Sequence, residues 1–427
     1  MSNFELSILF FFQLAFILAV IRLVGVIAKK IGQPQVVGEM IAGMVMGPSL
    51  LGMMLPELQG WIFPKASQGI IFSVAQVGVA LYMFLVGLEF DVSLIRKRLR
   101  SAASISIAGM VAPLVLGCLI AYSLYEGYEL FAPKVSMWEA MLFMGASMSI
   151  TAFPTLARII YEHGLSGTSL GTLALAAGSI DDASAWCVLA IVLASFSGDF
   201  IIALSTIGGG ALYAAAVLSI GRSLLSRFGT IAERNNGISN PLFGFVLMLV
   251  MLGAWYTDFI GIYAVFGAFI MGVAMPRGAF AHHLRHMTEP MTTNFLLPLF
   301  FVYSGLNTQI DLVDTPLLWS ITLLAVLSAC LGKGVACWLA ARLNGEPNRE
   351  AIAIGSLMNA RGLMELIILN IGLERGIITP TLFTIMVMMA IVTTLMASPI
   401  FEFVYGRYQK RHQKMVLPKT ELEPTVD

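Results

Sequence analysis

Apolar runs about as long as a bilayer is thick recur from one end of this 427-residue chain to the other. A helix needs about 20 apolar residues to cross the hydrocarbon core. Thirteen segments meet that rule, at approximately 7–28, 34–51, 67–90, 101–123, 136–158, 167–197, 200–221, 240–258, 260–276, 288–310, 316–341, 350–373 and 379–405. The narrowest division is between the eighth and ninth, near Asp258 and Gly261. Hydrophobic residues make up 58% of the chain and charged residues 12%, against about 25% charged in an ordinary soluble domain. A soluble fold of this length has too little interior to hide so much apolar side chain. Lipid must therefore be the solvent for much of it, and the expected fold is an all-α polytopic membrane protein. No Lys or Arg precedes the first run and no A-x-A site follows a short apolar core, so a retained span is expected rather than a cleaved signal.

Positive charge gives an independent check. Of the 25 Lys and Arg residues, nineteen fall in the odd-numbered loops and the C-terminal tail. Three, Lys65, Lys134 and Arg375, fall in the even loops, and Arg22, Lys333 and Arg361 lie within segments. Such an asymmetry places the N-terminus outside and the C-terminus in the cytoplasm, which needs an odd number of spans. An odd total also permits two six-helix halves of opposite orientation around a middle helix. The fifth and twelfth segments then correspond. The chain divides into a transmembrane domain, 1–405, and a short, disordered cytoplasmic tail, 406–427.

Several function classes are disfavoured. Net charge is zero, so nothing points to nucleic acid. Cys118, Cys187, Cys330 and Cys337 lie in apolar runs without C-x-x-C spacing and read as small buried hydrophobes. Gly208-Gly209-Gly210 lacks the Lys and hydroxyl of a phosphate loop and suits helix packing. His282, His283 and His286 cluster in an expected cytoplasmic loop, and Glu39, Glu89 and Asp91 sit near segment ends, where they would face water. No nucleophile with a base, no metal cluster and no cofactor motif is found, so neither an enzyme nor a bound cofactor is expected.

The informative charges are those inside segments, where ionisable groups are expensive and face a bundle interior or a water cavity. Asp181 and Asp182 lie mid-way along the sixth segment, in the run Gly178-Ser179-Ile180-Asp181-Asp182-Ala183-Ser184. Helix neighbours point about 100° apart, so both can reach one cavity and meet different partners. Two carboxylates so close, out of water, cannot both stay charged and uncompensated, so one of them can hold either a proton or a cation. That competition is the chemistry of an antiporter. The alternative is a pair locked by hydrogen bonds at a helix contact. Lys333 lies in the eleventh segment, and its natural partner is Asp181 or Asp182, unless it snorkels to an interface.

Two segments look interrupted. The fifth contains Ser147-Met148-Ser149-Ile150-Thr151-Ala152-Phe153-Pro154, where proline and clustered hydroxyls suggest a break, or simply a kink. A broken helix offers carbonyls and dipole ends to an ion. The twelfth contains Met358-Asn359-Ala360-Arg361-Gly362-Leu363-Met364-Glu365, where Asn359 and Gly362 suggest a second break. Arg361 and Glu365 are at i,i+4 spacing and can pair, as a brace for that break.

At five places the sequence resembles the cation/proton antiporter superfamily, second branch, which holds bacterial Na+/H+ and K+/H+ exchangers. These are PQVVGEMIAGMVMGPSLLG at 34–52, FLVGLEFD at 84–91, SITAFPTLAR at 149–158, the paired aspartates in 179–186, and PLFFVYSGLN at 298–307 leading to MNARGLMELI at 358–367. They span nearly the whole chain in order. The resemblance implies thirteen helices, two broken helices that cross near the midplane, a core domain and a scaffold that mediates a homodimer. It implies ion binding at Asp182, with Asp181 beside it, Thr151 and Ser149 near the crossing, and Lys333, Asn359, Arg361 and Glu365 as auxiliary residues. Kef-type potassium efflux systems differ in having glutamine where this chain has Asp181, and in an attached nucleotide-binding domain. Other members carry an aspartate where this chain has Ala152. The reading is a secondary active antiporter of Na+, with K+ or Li+ as alternatives, for H+. It would be electrogenic, with elevator-like alternating access, in a bacterial inner membrane. A Kef-type K+ efflux transporter or a gated cation channel are the rival readings.

Overall fold

A computed structural model of the chain describes residues 2–406, apart from 32, 34, 90–97, 164, 166, 167, 196–199, 235, 236 and 262. Asp91 and the expected tail beyond Gly406 lie outside the described residues. Among the described residues there is helix and no strand beyond an isolated bridge between Phe131 and Ile378.

Every expected segment coincides with helix. In order these are α1 Asn3–Lys30, α2 Gln35–Met46 with a π turn at Pro48–Gly52, the short α3 Pro56–Ile62, α4 Lys65–Glu89 and α5 Leu99–Leu124. There follow α6 Met137–Ser149, α7 Phe153–Glu162, α8 Ser169–Ser195, α9 Phe200–Ala216, α10 Arg222–Arg234, α11 Asn240–Phe259 and α12 Ala264–Ala274. The last are α13 Ala279–Met291, α14 Leu297–Leu306, α15 Pro316–Leu343, α16 Asn348–Met358, α17 Leu363–Glu374 and α18 Pro380–Phe401. Among the described residues, seven helical stretches are long and apolar enough to cross a membrane unaided, and Val37–Gly52 and Ala264–Ala274 are shorter apolar helices. This is a multi-pass membrane protein.

Local chemistry explains many ends. Ser2 and Glu5 form a reciprocal capping box on α1, and Ser136 and Glu139 form another on α6. Thr315 and Thr379 cap α15 and α18, each followed by a proline that needs no hydrogen-bond acceptor in the first turn. Gly345 and Gly376 stop α15 and α17 with φ of 90° and 62°, the left-handed geometry that glycine tolerates best.

Three expectations need correction. His282, His283 and His286 are helical: α13 joins α14 through a π turn at Thr292–Leu296, so the tenth helix runs well beyond its apolar part. The exposed α13 is polar, and an apolar run marks only the lipid-matched part of a helix. Glu39 is buried rather than facing water, with Gln35 donating to it at 2.7 Å. Glu89, by contrast, is exposed as expected, and pairs there with Arg285 of α13. Cys187 is exposed, on the outer face of its helix, whereas Cys337 is fully buried.

The helices pack as two groups. One comprises α5–α8 and α15–α18, and the other α1, α2, α4 and α11–α14. Within each group, backbones touch at glycines. A Cβ on Gly43 would fall on the carbonyl of Phe301, and one on Gly305 would fall on the backbone of Gly43, so the glycine-rich α2 lies directly on α14. Gly117 and Gly145 bring α5 and α6 together in the same way. Between the groups, contacts run through side chains: Tyr303 donates to Glu374 at 3.4 Å, Asn370 to Ser304 at 2.9 Å, Gln33 to the Leu395 carbonyl at 3.3 Å, and Arg375 to the Gly261 carbonyl at 3.3 Å.

Candidate ion-binding site

The fifth and twelfth segments are broken, as expected, and the breaks meet. α6 ends at Ser149, Ile150 is extended, and α7 starts at Phe153. α16 ends at Met358 and α17 starts at Leu363. The Ala152 amide donates to the Ala360 carbonyl at 3.1 Å, and the Thr151 hydroxyl to the Met358 carbonyl at 3.1 Å. Two helices that stop in the low-dielectric interior leave their last carbonyls orphaned. Here each break supplies groups that satisfy the other.

Two cations finish that task for α6. Arg361, fully buried, donates to the Met148 carbonyl at 2.7 Å and the Ser147 carbonyl at 3.4 Å. Lys333, also fully buried, donates to the Ser149 carbonyl. Positive charge at a helix C-terminus is favourable for the dipole as well as the hydrogen bonds. Arg361 also pairs with Glu365 at 3.2 Å, as the i,i+4 spacing implies. The second break is held from outside: the Thr394 hydroxyl accepts from the Arg361 amide at 3.1 Å and lies 3.0 Å from its carbonyl. Asn359 donates to the Cys330 carbonyl at 3.1 Å.

The aspartates are unequal. Both are fully buried. Asp181 forms an ion pair with Lys333, 2.9 Å from Oδ2, and its Oδ1 lies 3.3 Å from the Ser106 hydroxyl. Neither oxygen of Asp182 has a hydrogen-bond partner among the described residues. Gly178, one turn earlier on the same face of α8, packs against Leu156 and Phe153 of α7. With Gly178 against the first turn of α7, Asp182, one turn on, lies toward the break at 150–152.

Other oxygens are poised nearby. The Thr151 hydroxyl uses its proton on Met358, so its lone pairs are available to a cation. The Ser149 hydroxyl spends its proton on Ala146 at 2.8 Å, within its own helix. Among the described residues, buried oxygens without hydrogen-bond partners include Asn359 Oδ1 and Glu365 Oε1. Buried unpaired oxygens suit a hard alkali cation and its water, since such ions take oxygen ligands only. Among the described residues, no three His, Cys, Asp or Glu side chains gather as a resident metal site would require.

A cavity of about 550 Å³ lies on the same side of the protein as the N-terminal end of α2, lined by Arg22, Lys29, Gln33, Glu39, His163 and Asn294 among others. Sequence reasoning missed Ser106 and Thr394. Each is one hydroxyl among many in apolar helices, and only the packing of α5 and α18 singles them out.

Comparison with known proteins agrees with this architecture. Residues 15–405 match the family described as sodium/hydrogen exchanger, transmembrane. The Na(+)/H(+) antiporter NhaS4 of Synechocystis sp. is 41% identical over 392 residues, which are 91% of this chain and 95% of that protein. Cation/H(+) antiporter 20 of Arabidopsis thaliana is 36% identical over 94% of this chain. There the match takes in 49% of the relative, so this chain spans about half the length of that protein. Among solved structures, the sodium proton antiporter MjNhaP1 from Methanocaldococcus jannaschii superposes with a TM-score of 0.63 at 16% identity, covering 94% of this chain and 97% of that one. That likeness is one of fold. With nearly all of its length matched in sequence, this chain belongs to the sodium/hydrogen exchanger family, whose members are transporters and not enzymes.

Proposed function

We propose that this protein exchanges a monovalent cation for protons by secondary active transport, with Na+ the first candidate and K+ or Li+ the alternatives. The observation that carries the reading is the inequality of the dyad: Asp182 is buried with both oxygens unpartnered among the described residues, beside an Asp181 that is ion-paired with Lys333. A buried carboxylate with no cation of its own must take a proton or an ion. Because both claim the same oxygens, they exclude one another, and exclusion is all that coupling needs.

In this reading a cation entering between Asp182 and Asp181 displaces the Lys333 ammonium, and Thr151 contributes a neutral oxygen. Protons leave from Asp182 and from Lys333, two for one cation, so exchange moves net charge. The core group, α5–α8 and α15–α18, then shifts against the other group like an elevator and opens to the opposite side. The thirteen segments cross a bacterial inner membrane from an outside N-terminus to a cytoplasmic tail at 406–427, and the second group serves as the scaffold of a homodimer. The skew of Lys and Arg among the loops supports that orientation.

The test uses purified protein in liposomes with an outside-acid pH gradient reported by a fluorescent probe. Na+, K+ and Li+ are added in turn. Collapse of the gradient by one cation, absent in Asp182→Asn, is expected. Equal responses of wild type and variant would refute the role of Asp182.

A further inference from the structure

Besides the end of α6, whose Ser149 carbonyl accepts from Lys333, three helices hold the charge pair at the centre of the site. α8 carries Asp181 and α15 carries Lys333. The third is α5, which brings no charge and touches both partners.

Two of its residues do this from one face, three positions apart. Ser106 is fully buried, with its hydroxyl 3.3 Å from Asp181 Oδ1. Its other neighbour is a weak acceptor, Met110 Sδ at 3.9 Å. Gly109 faces the lysine stem: a Cβ there would stand 2.5 Å from Cys337 Sγ, 3.7 Å from Lys333 Cε and 3.9 Å from Lys333 Cγ. The absent side chain makes the groove along which the lysine reaches Asp181. Ser106 closes that groove at its end, beside the carboxylate oxygen that Lys333 does not hold.

We propose that Ser106 is a further cation-binding residue, whose hydroxyl oxygen joins the coordination shell when the ion displaces Lys333 and thereby sets which alkali cation the site prefers. The inference rests on the exchange reading above. A hydroxyl that donates to a carboxylate keeps its lone pairs, so Ser106 and Asp181 can bridge one ion without rearranging. Alkali cations differ in the number and distance of oxygens they require, and a site discriminates by cavity size, ligand count and rigidity. Asp181 and Asp182 come from a single helix and move together. Ser106 comes from another element, so its distance from them fixes how far apart the oxygens facing an ion would stand. A neutral oxygen also adds a ligand without adding charge that a proton could neutralise.

The experiment measures KM and maximal rate for Na+, K+ and Li+ in proteoliposomes, for wild type, Ser106→Ala and Ser106→Thr. Melting temperature in detergent, titrated with each cation, reads binding independently of turnover. Ser106→Ala is expected to raise KM for the preferred cation about tenfold, the scale seen when groups that support a metal site are removed. The maximal rate should stay close to wild type, the KM ratio between cations should change, and Ser106→Thr should restore the wild-type order. Unchanged ratios in Ser106→Ala, whether or not absolute KM moves, would overturn the proposal. If wild type exchanges none of the three cations the exchange reading fails first, and the melting titration then decides alone: equal cation-induced shifts in wild type and Ser106→Ala overturn the role of Ser106.

Discussion

Asp181 and Asp182 are consecutive residues of one helix, both wholly buried, and among the described residues only Asp181 is paired: its carboxylate is 2.9 Å from Lys333, while both oxygens of Asp182 lack partners. A single step of about 100° around α8 separates a neutralised acid from an open one. The two should therefore fail differently when changed. Asp182→Asn replaces a carboxyl that has no protein partner among the described residues, so it should keep the fold while abolishing cation-driven proton movement. Asp181→Asn strands the Lys333 ammonium, and breaking a buried pair costs about 3–5 kcal/mol. Parallel transport assays and melting curves would distinguish a stable, inactive Asp182 variant from an unstable Asp181 variant.

Lys333→Gln keeps a donor near the Ser149 carbonyl and Asp181 but carries no charge. If the ammonium supplies the second proton, this variant should still exchange, one for one, with no dependence on membrane potential. Wild-type exchange should respond to an imposed potential, since each net charge moved is driven by about 2.3 kcal/mol per 100 mV. Rates measured with the potential clamped at zero and at a set value would read the difference.

Arg361→Ala removes the partner of Glu365 and the donors to the Ser147 and Met148 carbonyls together. An unpaired buried acid and orphaned helix-end carbonyls should destabilise the protein by about 3–5 kcal/mol. In the double variant with Glu365→Gln the loss should be smaller than the sum of the two single losses. Thermal unfolding of the cycle measures that coupling.

Proton and cation compete for one site in the proposed mechanism, which gives the pH dependence a sign. Lowering pH fills Asp182 with protons, so the apparent KM for the cation should rise, by up to about tenfold per pH unit for one competing proton, by linkage. The maximal rate at saturating cation should change less. Initial rates over a grid of pH and cation concentration test this, and a KM independent of pH would be incompatible with a shared site.

Gly43 has no room for a side chain, because the Phe301 carbonyl occupies the place of a Cβ. Gly43→Val should force α2 off α14 and destabilise by about 1–3 kcal/mol, as overpacking does. Gly60→Val meets open space and should be neutral to packing. A lower melting temperature for the first and not the second would confirm the backbone contact.

Much of this was legible from letters. Spans were, because lipid allows only helices long enough to cross it and apolar enough to stay. The two breaks were, because Pro154 among clustered hydroxyls and Gly362 near Asn359 mark weak points in otherwise apolar runs. The Arg361–Glu365 pair followed from i,i+4 spacing within one chain segment. Which aspartate takes Lys333 was not legible, since that depends on how α15 is turned against α8, and adjacent helix positions differ by a third of a turn. Glu39 and α13 misled for related reasons: hydropathy reports where lipid lies and is silent on polar groups buried in protein or on helix that continues into water. Ser106 gave no signal at all, because a serine facing a carboxylate and a serine bonding its own helix read alike.

The two kinds of contact in this protein differ in what they let slide. Where Gly43 meets the backbone of Phe301, or Gly117 meets Gly145, main chain rests on main chain, and any shift of a fraction of an ångström is a collision. Each group of helices is thereby keyed into a stiff block. The joint between the blocks is made differently, with Tyr303 reaching Glu374, Asn370 reaching Ser304 and Gln33 reaching a carbonyl. Those bonds can be released one at a time by rotating a side chain, and water can replace each where the joint meets an aqueous face. The shift proposed above would run along that joint, a slip plane set by where glycine was placed and where it was not.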